Sequence, residues 1–476
     1  MAQPPTPAGD GPDGLATSTT DWPTPDGLGS TPQTAVPADE QLAPAVREVI
    51  DRLRDERWTV GVIGLGYVGL PLAVAASQRG LDVIGFDIDD AKVAAVSAGH
   101  SHVGDVDDDT LKAAVHAGAR FTTDQQQLSE ADAILVAVPS PLGRNRQPDL
   151  SFIEAAAATI TRVARPGQLI SLESTTYPGT TEDHLLPAVQ AAGLTLDTDV
   201  FVTFSPERVD PGNELTTSSI PKVVGGVTPT STAVGVAAYL RLVDTVHPVS
   251  TARAAELTKL LENTYRAVNI AMVNELTHVA DTFGIDIWEV IDAAASKPFG
   301  FQPFYPGPGV GGHCIPLDPQ FLAWRARELR TPTRFIDLAE DVNVHMPDYV
   351  VGRVTRLLND VGTAVSRARI LGVGAAYKRD VGDDRESPAI DVLRLLRSAG
   401  ATVTVFDPHV PPDQLARHGF DIVDDLTAAA DHDLAIVLTD HRSIDFAELA
   451  EHAPRVFDTR GVYRRLGLHP STVHHL

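Results

Sequence analysis

Short apolar runs alternate with longer amphipathic, alanine-rich stretches from residue 58 onward. The first five runs span residues 58–63, 81–87, 133–138, 168–172 and 200–204. Their length is that of strands, and helical patterns lie between several of them. This alternation is typical of a parallel sheet with helices on both faces. We therefore predict an N-terminal, doubly wound α/β domain over residues 56–250.

A second alternation predicts a C-terminal domain over residues 347–476. Its strands are expected at residues 369–373, 402–406, 434–438 and 455–458. A helix over 387–398 has Ser387 as its predicted N-cap and Pro388 in its first turn. Gly372 and Gly374 open a turn after the first strand, but Tyr377 replaces the third glycine of a dinucleotide motif. The domain is thus expected to be Rossmann-like without a dinucleotide of its own.

A long helix over residues 254–283 is predicted between the two domains, within a central helical region at 251–346. The helix carries an apolar stripe of Leu257, Leu261, Tyr265, Val268 and Met272. We expect this stripe to pack into the core. Core packing of the stripe does not explain why polar residues lie on the opposite side of the helix, which carries Lys259, Asn263, Ile270 and Asn274. The predicted fold class is α/β, with two Rossmann-like doubly wound domains joined by a long central helix.

Residues 1–45 differ from the rest because they are rich in Pro, Thr, Ser and Gly and contain no Lys or Arg. Such a segment buries too little apolar surface to offset its ordering entropy, so we predict a disordered tail.

Net charge and cysteine content exclude several functions. The formal charge of −25 disfavours nucleic-acid binding, which requires concentrated positive charge. No apolar run approaches the ~18 residues of a membrane span, and no basic residue precedes Arg47 as a secretory signal would require. The single cysteine, Cys314, allows no internal disulfide and no multi-cysteine zinc site. We expect a cytoplasmic protein without a structural metal.

The segment GVIGLGYVG at 61–69 places GxGxxG between a predicted strand and a helix. Gly64 permits the tight turn, Gly66 lets the backbone approach a pyrophosphate, and Gly69 lets the helix pack on the strand. Asp87 ends the next strand, where a carboxylate bonds the ribose hydroxyls. Because an acid there repels a 2′-phosphate, the predicted cofactor is NAD rather than NADP. The alternative is a glycine-rich turn that binds no ligand.

The segment PGPGVGG at 306–312 predicts a loop whose backbone amides can approach a ligand. Cys314 follows it directly, with His313 beside it and Asp318 four residues on. A buried structural cysteine is the ordinary interpretation. The setting favours a nucleophile, because a thiol becomes reactive when a base or positive charge lowers its pKa.

Seven motifs occur in an order that resembles the UDP-glucose/GDP-mannose dehydrogenase family over residues 56–465. They are GVIGLGYVGLP at 61–71, VAVPSP at 136–141, ESTTYPGTT at 173–181, SPERVDPGN at 205–213, KLLEN at 259–263, PGPGVGGHCIPLDP at 306–319 and YKRDVGDDRESPA at 377–389. The resemblance implies that two NAD in succession oxidise the C6 hydroxyl of a UDP-sugar to a carboxylate. It also implies a thiohemiacetal and a thioester on the cysteine, and a homodimer formed through the central helix.

The resemblance also implies the role of each matching residue. The catalytic set is Cys314 as nucleophile, Lys259 and Asn263 at the oxyanion, Asp318 and Glu207 as an acid–base pair around a water molecule, and Ser140 as a hydroxyl near the nicotinamide. The cofactor set is Gly64, Gly66, Tyr67, Val68, Gly69, Asp87, Lys92, Ser140 and Arg385. The substrate set is Glu207, Lys259, Asn263, Phe304, Tyr305, Gly311 and Lys378. The rival interpretation of Glu207 is a surface salt bridge, and that of Lys378 and Arg385 is solvated surface charge.

Departures from the family pattern bear on the sugar. Tyr305 and Leu317 stand where UDP-glucose members carry basic residues, and the SPERV segment resembles the N-acetylhexosamine branch. We expect UDP-N-acetylglucosamine, with UDP-N-acetylmannosamine, UDP-N-acetylgalactosamine and UDP-glucose as alternatives. Two other classes are a non-catalytic nucleotide-sugar binder, which would lack the thiol, lysine or acid, and a two-electron hydroxyacid dehydrogenase, which needs no nucleophilic cysteine.

Overall fold

The computed structural model describes residues 36–143, 146–209 and 218–476. The first sheet contains β1 (Thr59–Ile63), β2 (Asp82–Phe86), β3 (Arg120–Thr122), β4 (Ala133–Val136), β5 (Gln168–Leu172), β6 (Val200–Phe204), β7 (Lys222–Gly226) and β8 (Val246–Val249). Its spatial order is β3-β2-β1-β4-β5-β6-β7-β8, and only the β6–β7 pair is antiparallel. The doubly wound prediction is therefore confirmed for this half of the chain.

Seven helices belong to this half. They are α1 (Pro44–Asp55), α2 (Gly69–Gln78), α3 (Asp90–Ser97), α4 (Asp108–His116), α5 (Ser151–Val163), α6 (Leu186–Ala191) and α7 (Pro229–Tyr239). Of the predicted tail, residues 1–35 lie outside the described residues. Leu42 is buried in the same apolar cluster as Val46 and Trp58, so packed structure begins before residue 45.

Four helices connect the two sheets. They are α8 (Ala252–Phe283), α9 (Ile287–Ala295), α10 (Asp318–Glu328) and α11 (Arg334–Asn359). The predicted boundary between residues 346 and 347 falls inside α11, which continues through Pro347. A division there would cut one helix in two. No helix in the described ranges is long and apolar enough to cross a membrane.

The second sheet is parallel throughout. It contains β9 (Arg369–Val373), β10 (Thr402–Phe406), β11 (Asp421–Ile422), β12 (Leu434–Val437), β13 (Val456–Asp458) and β14 (Val473–His475), in the order β11-β10-β9-β12-β13-β14. Its helices are α12 (Pro388–Ser398), α13 (Pro412–Arg417), α14 (Phe446–His452) and α15 (Val462–Arg465). The second Rossmann-like half is thereby confirmed.

Helix α8 has the opposite orientation to the one predicted from its pattern. The residues of the apolar stripe are mostly exposed, with Leu261 at 63% and Met272 at 49%. Lys259, Asn263 and Asn274 are the buried ones. The expectation of a core-facing stripe was wrong because periodicity reveals two unlike faces without saying which one this chain covers.

Two local predictions in the second half also need correction. Ser387 occupies the N-cap position of α12, but its hydroxyl donates to the carbonyl of Ala375 at 2.7 Å instead of capping the helix. Gly372 lies inside β9, and it is Gly374, with φ of +83°, that turns the chain after the strand as Gly64 does after β1.

Candidate active site

The turn between β1 and α2 leaves room for a ligand where the dinucleotide motif predicts one. Gly64 has φ of +94°, and a Cβ there would lie 2.5 Å from the carbonyl oxygen of Ala137. A Cβ on Gly69 would overlap the backbone of Gly64, whereas one on Gly66 would meet no atom within 4 Å. The first and third glycines are thus required by packing, and the second faces open space beside the N-terminus of α2, where a pyrophosphate binds.

Asp87 shapes this turn as well as ending β2. Its carboxylate accepts from the amide of Leu65 at 2.9 Å, from the amide of Asp89 at 3.1 Å and from the Lys92 ammonium at 2.8 Å. Burial acts to raise the pKa of Asp87, but these donors outweigh burial and lower it. Asp87 is therefore an ionised carboxylate at the predicted ribose position, with Lys92 paired to it.

A buried polar cluster lies on the inward face of α8. Asn263 donates its side-chain amide to the carboxylate of Asp318, and the Lys259 charge acts on the same carboxylate. Burial raises the pKa of Asp318 to about 6, because Lys259 and Asn263 offset the loss of solvation only in part. This acid can therefore gain or release a proton near neutral pH.

Cys314 is exposed and is tied to that cluster through the backbone. The amide of Asp318, the first residue of α10, donates to the carbonyl of Cys314 at 2.9 Å. Cys314, an exposed residue, and the buried acid Asp318 thus stand at the two ends of one turn. The predicted lysine, amide and acid are brought together, and the backbone of Cys314 adjoins them.

Glu207 belongs to a neighbouring network. Its carboxylate accepts from the amides of Arg208 and Val209, both at 2.8 Å, and from the Lys222 ammonium at 3.0 Å. Arg208 in turn forms a forked ion pair with Glu262 on α8, the residue before Asn263. The Glu207 loop is therefore fastened beside the cluster on α8. Glu207 does form an ion pair, with Lys222, but its side chain is 13% exposed, so the pair is not the surface salt bridge of the rival interpretation.

The loop bearing Cys314 packs against the second half of the molecule. A Cβ on Gly311 would lie 2.5 Å from the carbonyl oxygen of Glu386, and one on Gly312 would lie 2.6 Å from the ring of Tyr377. Lys378 follows Tyr377 directly, so it lies in the strand-to-helix loop that contacts the cysteine loop. Glycine is required here because the Glu386 carbonyl and the Tyr377 ring leave no space for a side chain on the cysteine loop.

Arg385 joins the second half to the cofactor turn. Its guanidinium lies 4.9 Å from the centre of the Tyr67 ring and is held by the carboxylate of Asp383 at 2.6 Å. Tyr67 is exposed and follows Gly66. This contact agrees with the prediction that Arg385 extends to the dinucleotide site of the first half.

The other predicted residues are less closely connected. Ser140 is half-buried in the loop after β4, and Val68 precedes α2. Phe304 packs edge-on against Tyr265, while Tyr305 stacks on Trp288 at 5.5 Å.

Sequence reasoning missed an arginine cluster at the carboxyl ends of the second sheet. Arg379 and Arg465 both pair with Asp440, and the pKa of Arg379 is lowered to about 10 by burial and by the charges of Arg465, Arg442 and Arg460. Ligands of open α/β sheets bind at this edge, and a diphosphate would satisfy such a cluster. The arginines are spread along the sequence, three in loops and Arg465 at the end of α15, so no single sequence motif contains them.

One group of metal-ligand type occurs in the part of the chain that the structure describes, formed by Asp380, His409 and His441. Both ring nitrogens of His441 are already engaged, because Nδ1 accepts from the amide of Asp380 at 2.8 Å and Nε2 contacts the carboxylate of Asp407 at 3.1 Å. Asp407 also accepts from the amides of Ala375 and Ala376 after Gly374, much as Asp87 accepts from the amide of Leu65 after Gly64.

Comparison with known proteins agrees with this geometry along almost the whole described chain. The NAD binding domain of the UDP-glucose/GDP-mannose dehydrogenase family matches residues 58–243, its central domain 253–345 and its UDP binding domain 371–465. The chain belongs to this family. It is an NAD-dependent oxidoreductase, and the predicted resemblance, fold class and cofactor are confirmed.

Similar proteins act on several N-acetylated sugars. An NDP-N-acetyl-D-galactosaminuronic acid dehydrogenase of Ralstonia nicotianae is 38% identical over 425 residues, covering 85% of this chain and 96% of that protein. A UDP-N-acetyl-D-glucosamine 6-dehydrogenase of Pseudomonas aeruginosa is 36% identical, covering 76% and 85%. The structure of a UDP-D-ManNAc dehydrogenase from Pyrococcus horikoshii has a TM-score of 0.79 at 30% identity, covering 88% and 98%.

Proposed function

We propose that this enzyme oxidises the C6 hydroxyl of a UDP-sugar to a carboxylate in two steps, with Cys314 as the covalent nucleophile. The observation that carries the proposal is the exposed thiol at one end of a turn whose other end, Asp318, is a buried acid with a pKa near 6. Lys259 and Asn263 lie on the buried face of α8 beside that acid.

Each residue of the cluster has a chemical task in this proposal. NAD, when bound, accepts the hydride of each oxidation. Cys314 attacks the C6 aldehyde to give a thiohemiacetal, whose oxidation yields a thioester that water hydrolyses. Lys259 and Asn263 donate to the developing oxyanion, which typically contributes ~10²–10³-fold in rate. Asp318 takes a proton from the attacking water, and Ser140 supplies a hydroxyl near the nicotinamide.

The second half of the molecule would hold the nucleotide. Lys378, beside the cysteine loop, and the arginine cluster at the edge of the second sheet supply the positive charge that a UDP diphosphate needs. They do so against a net charge of −25, so recognition has to be local.

For the sugar we propose UDP-N-acetyl-D-glucosamine. Tyr305 and Leu317 place uncharged side chains where UDP-glucose members of the family carry basic ones. The three similar proteins named above are named for N-acetylated sugars, and these sugars differ from one another. A panel with UDP-N-acetylglucosamine, its manno and galacto epimers and UDP-glucose ranks the candidates by kcat/KM, which is the quantity that defines specificity.

We also propose that the enzyme is a homodimer formed through α8. The exposed apolar residues of this helix are Leu257, Leu261, Tyr265, Met272, Leu276, Val279 and Phe283. A contiguous exposed apolar face of this length is rare on a monomer, because it remains in contact with water. The central helix would bury it against the same face of a second copy.

The stoichiometry of the reaction tests the proposed chemistry. Wild-type enzyme should form two NADH per UDP-sugar consumed, without accumulating free aldehyde. Cys314→Ala should form no acid while retaining NAD binding, since Gly64, Gly66 and Asp87 lie in another loop. One NADH per sugar in the wild type, or full acid formation by Cys314→Ala, would contradict the covalent mechanism.

A further inference from the structure

A buried lysine outside the predicted site makes contacts that a purely structural residue would not need. Lys222 opens β7 and is 2% exposed. Its ammonium donates to the carboxylates of Glu173 and Glu207 and to the carbonyl of Pro206 at 3.2 Å. An ammonium has three N–H donors, so all three are satisfied by named acceptors, two of them charged.

Glu173 completes the network on the side away from the catalytic helix. It follows β5, is 1% exposed, and accepts from the Tyr239 hydroxyl at the end of α7. That hydroxyl also lies 2.8 Å from the Ser171 hydroxyl. A buried ammonium without a counter-charge is costly, and Glu173 supplies one that no solvent competes for.

We propose that Lys222, balanced by Glu173, is a positioning residue that holds Glu207 as an ionised carboxylate in a single orientation beside α8. This inference rests on the proposed function and on the role beside a water molecule that the family resemblance implies for Glu207. Lys222 fixes one oxygen of Glu207, while the amides of Arg208 and Val209 fix the other. With both oxygens bonded, the carboxylate can neither rotate nor readily accept a proton.

The charged groups around Glu207 lie on several packed elements and partly oppose one another. Lys222 on β7 attracts the carboxylate, Glu173 after β5 repels it, and the Arg208 guanidinium is neutralised by Glu262 on α8. Burial acts to raise the pKa of Glu207, but the Lys222 charge and the hydrogen bonds lower it overall. Burial raises the pKa of Glu173, so the proton that this pair takes up first goes to Glu173.

The consequence for catalysis is a division of roles between two acids. Asp318, with a pKa of about 6, can exchange a proton near neutral pH, whereas Glu207, whose pKa is lowered, remains an anion that can orient the attacking water. Residues whose surroundings separate their protonation states in this way take different parts in proton transfer.

The test compares Glu173→Gln with the double variant Glu173→Gln/Lys222→Met. The single variant keeps the Lys222–Glu207 ion pair and is the matched control. The double variant removes the Lys222 ammonium together with the Glu173 carboxylate, so that no unpaired carboxylate remains at residue 173. Carboxyl ¹³C NMR, assigned with Glu207→Gln, should show the pKa of Glu207 rising in the double variant only. An unchanged pKa of Glu207 in the double variant would overturn the proposal. If thermal melting shows that the variant with Lys222→Met is unfolded, Lys222→Gln takes the place of Lys222→Met.

Kinetics supply a second readout that a structural role would not move. With UDP-N-acetyl-D-glucosamine and NAD, the double variant should lose roughly 10²-fold in kcat/KM, the size expected for a misplaced catalytic group. In the pH profile of kcat/KM, the acid limb of the double variant should report two protons instead of one. The KM for NAD should be unchanged. Equal pH profiles in both variants would contradict the proposal. Absence of wild-type turnover with every UDP-sugar would instead contradict the proposed function, and the NMR measurement would still decide the role of Lys222.

Discussion

At the scale of single residues, Asp318 has the surroundings of a group that must change its charge. It is almost fully buried at the first position of α10, and only Lys259 and Asn263 favour its ionised form. A carboxyl in a nearly dry site gives up its proton later than one in water. The pKa of Asp318, about 6, lies close to the pH at which a general base works best.

We predict that the wild-type rate falls as pH drops through about 6, because Asp318 becomes protonated and can no longer accept a proton. Asp318→Asn should lower kcat by ~10²–10⁴-fold and remove that acid limb. Asp337→Asn, at an exposed position of α11, is the control and should leave the profile unchanged. A limb that persists in Asp318→Asn would assign it to another group.

Asp87 has two separable effects, one on the shape of the cofactor turn and one on its charge. Asp87→Asn retains an oxygen that can accept from the amide of Leu65, whereas Asp87→Ala removes it. Both variants should lose the preference for NAD over NADP, but Asp87→Ala should raise KM for NAD further. Parallel kinetics with the two cofactors measure both effects. An unchanged NAD preference in Asp87→Asn would show that the carboxylate charge does not discriminate.

At the scale of elements, α8 explains why the apolar pattern misled. In the proposed dimer, α8 packs on its own chain with one face and on a second copy with the other. Both faces would then be buried, and the sequence shows only that the two faces differ. The face toward this chain carries Lys259 and Asn263 because the site needs them. The other face is then free to be the more apolar one.

We therefore predict that Leu261→Asp dissociates the proposed dimer while leaving the monomer folded, because Leu261 is 63% exposed in the single chain. Ala45→Asp, which adds the same charge to an exposed position of α1, is the matched control. Light scattering coupled to size exclusion gives the mass of each variant. A wild-type monomer, or a dimer in Leu261→Asp, would contradict the interface on α8.

The remaining elements show where sequence patterns suffice. Buried parallel strands such as β5 and β9 are mostly apolar, and both have the predicted bounds. Strand β7 was missed because its short apolar run ends in two glycines, Gly225 and Gly226, and β8 because it contains Pro248. The network of Lys222, Glu173 and Tyr239 was missed because its members are far apart in the sequence and meet only after the sheet has formed.

At the scale of the whole molecule, the candidate site belongs to neither half alone. The cofactor turn lies in the first sheet, the thiol lies in the connecting region, and Tyr377 and Glu386 of the second half pack on the glycines next to the thiol. Motifs located each of these loops separately. That the loops touch depends on packing between the halves, for which a single sequence carries no local signal.

Arg385 gives this shared site a direct test. It belongs to the UDP-binding half, but its guanidinium stacks on Tyr67 in the NAD-binding turn, so it is placed to add positive charge beside a bound pyrophosphate. Arg385→Ala should raise KM for NAD by roughly tenfold, the effect of about 1.4 kcal/mol, and change KM for the UDP-sugar much less. Arg417→Ala removes an exposed arginine elsewhere in the same half and should change neither constant. If Arg385→Ala raised only the KM for the UDP-sugar, the arginine would serve the half of the molecule to which it belongs, and the contact with Tyr67 would not extend the NAD site across the two halves.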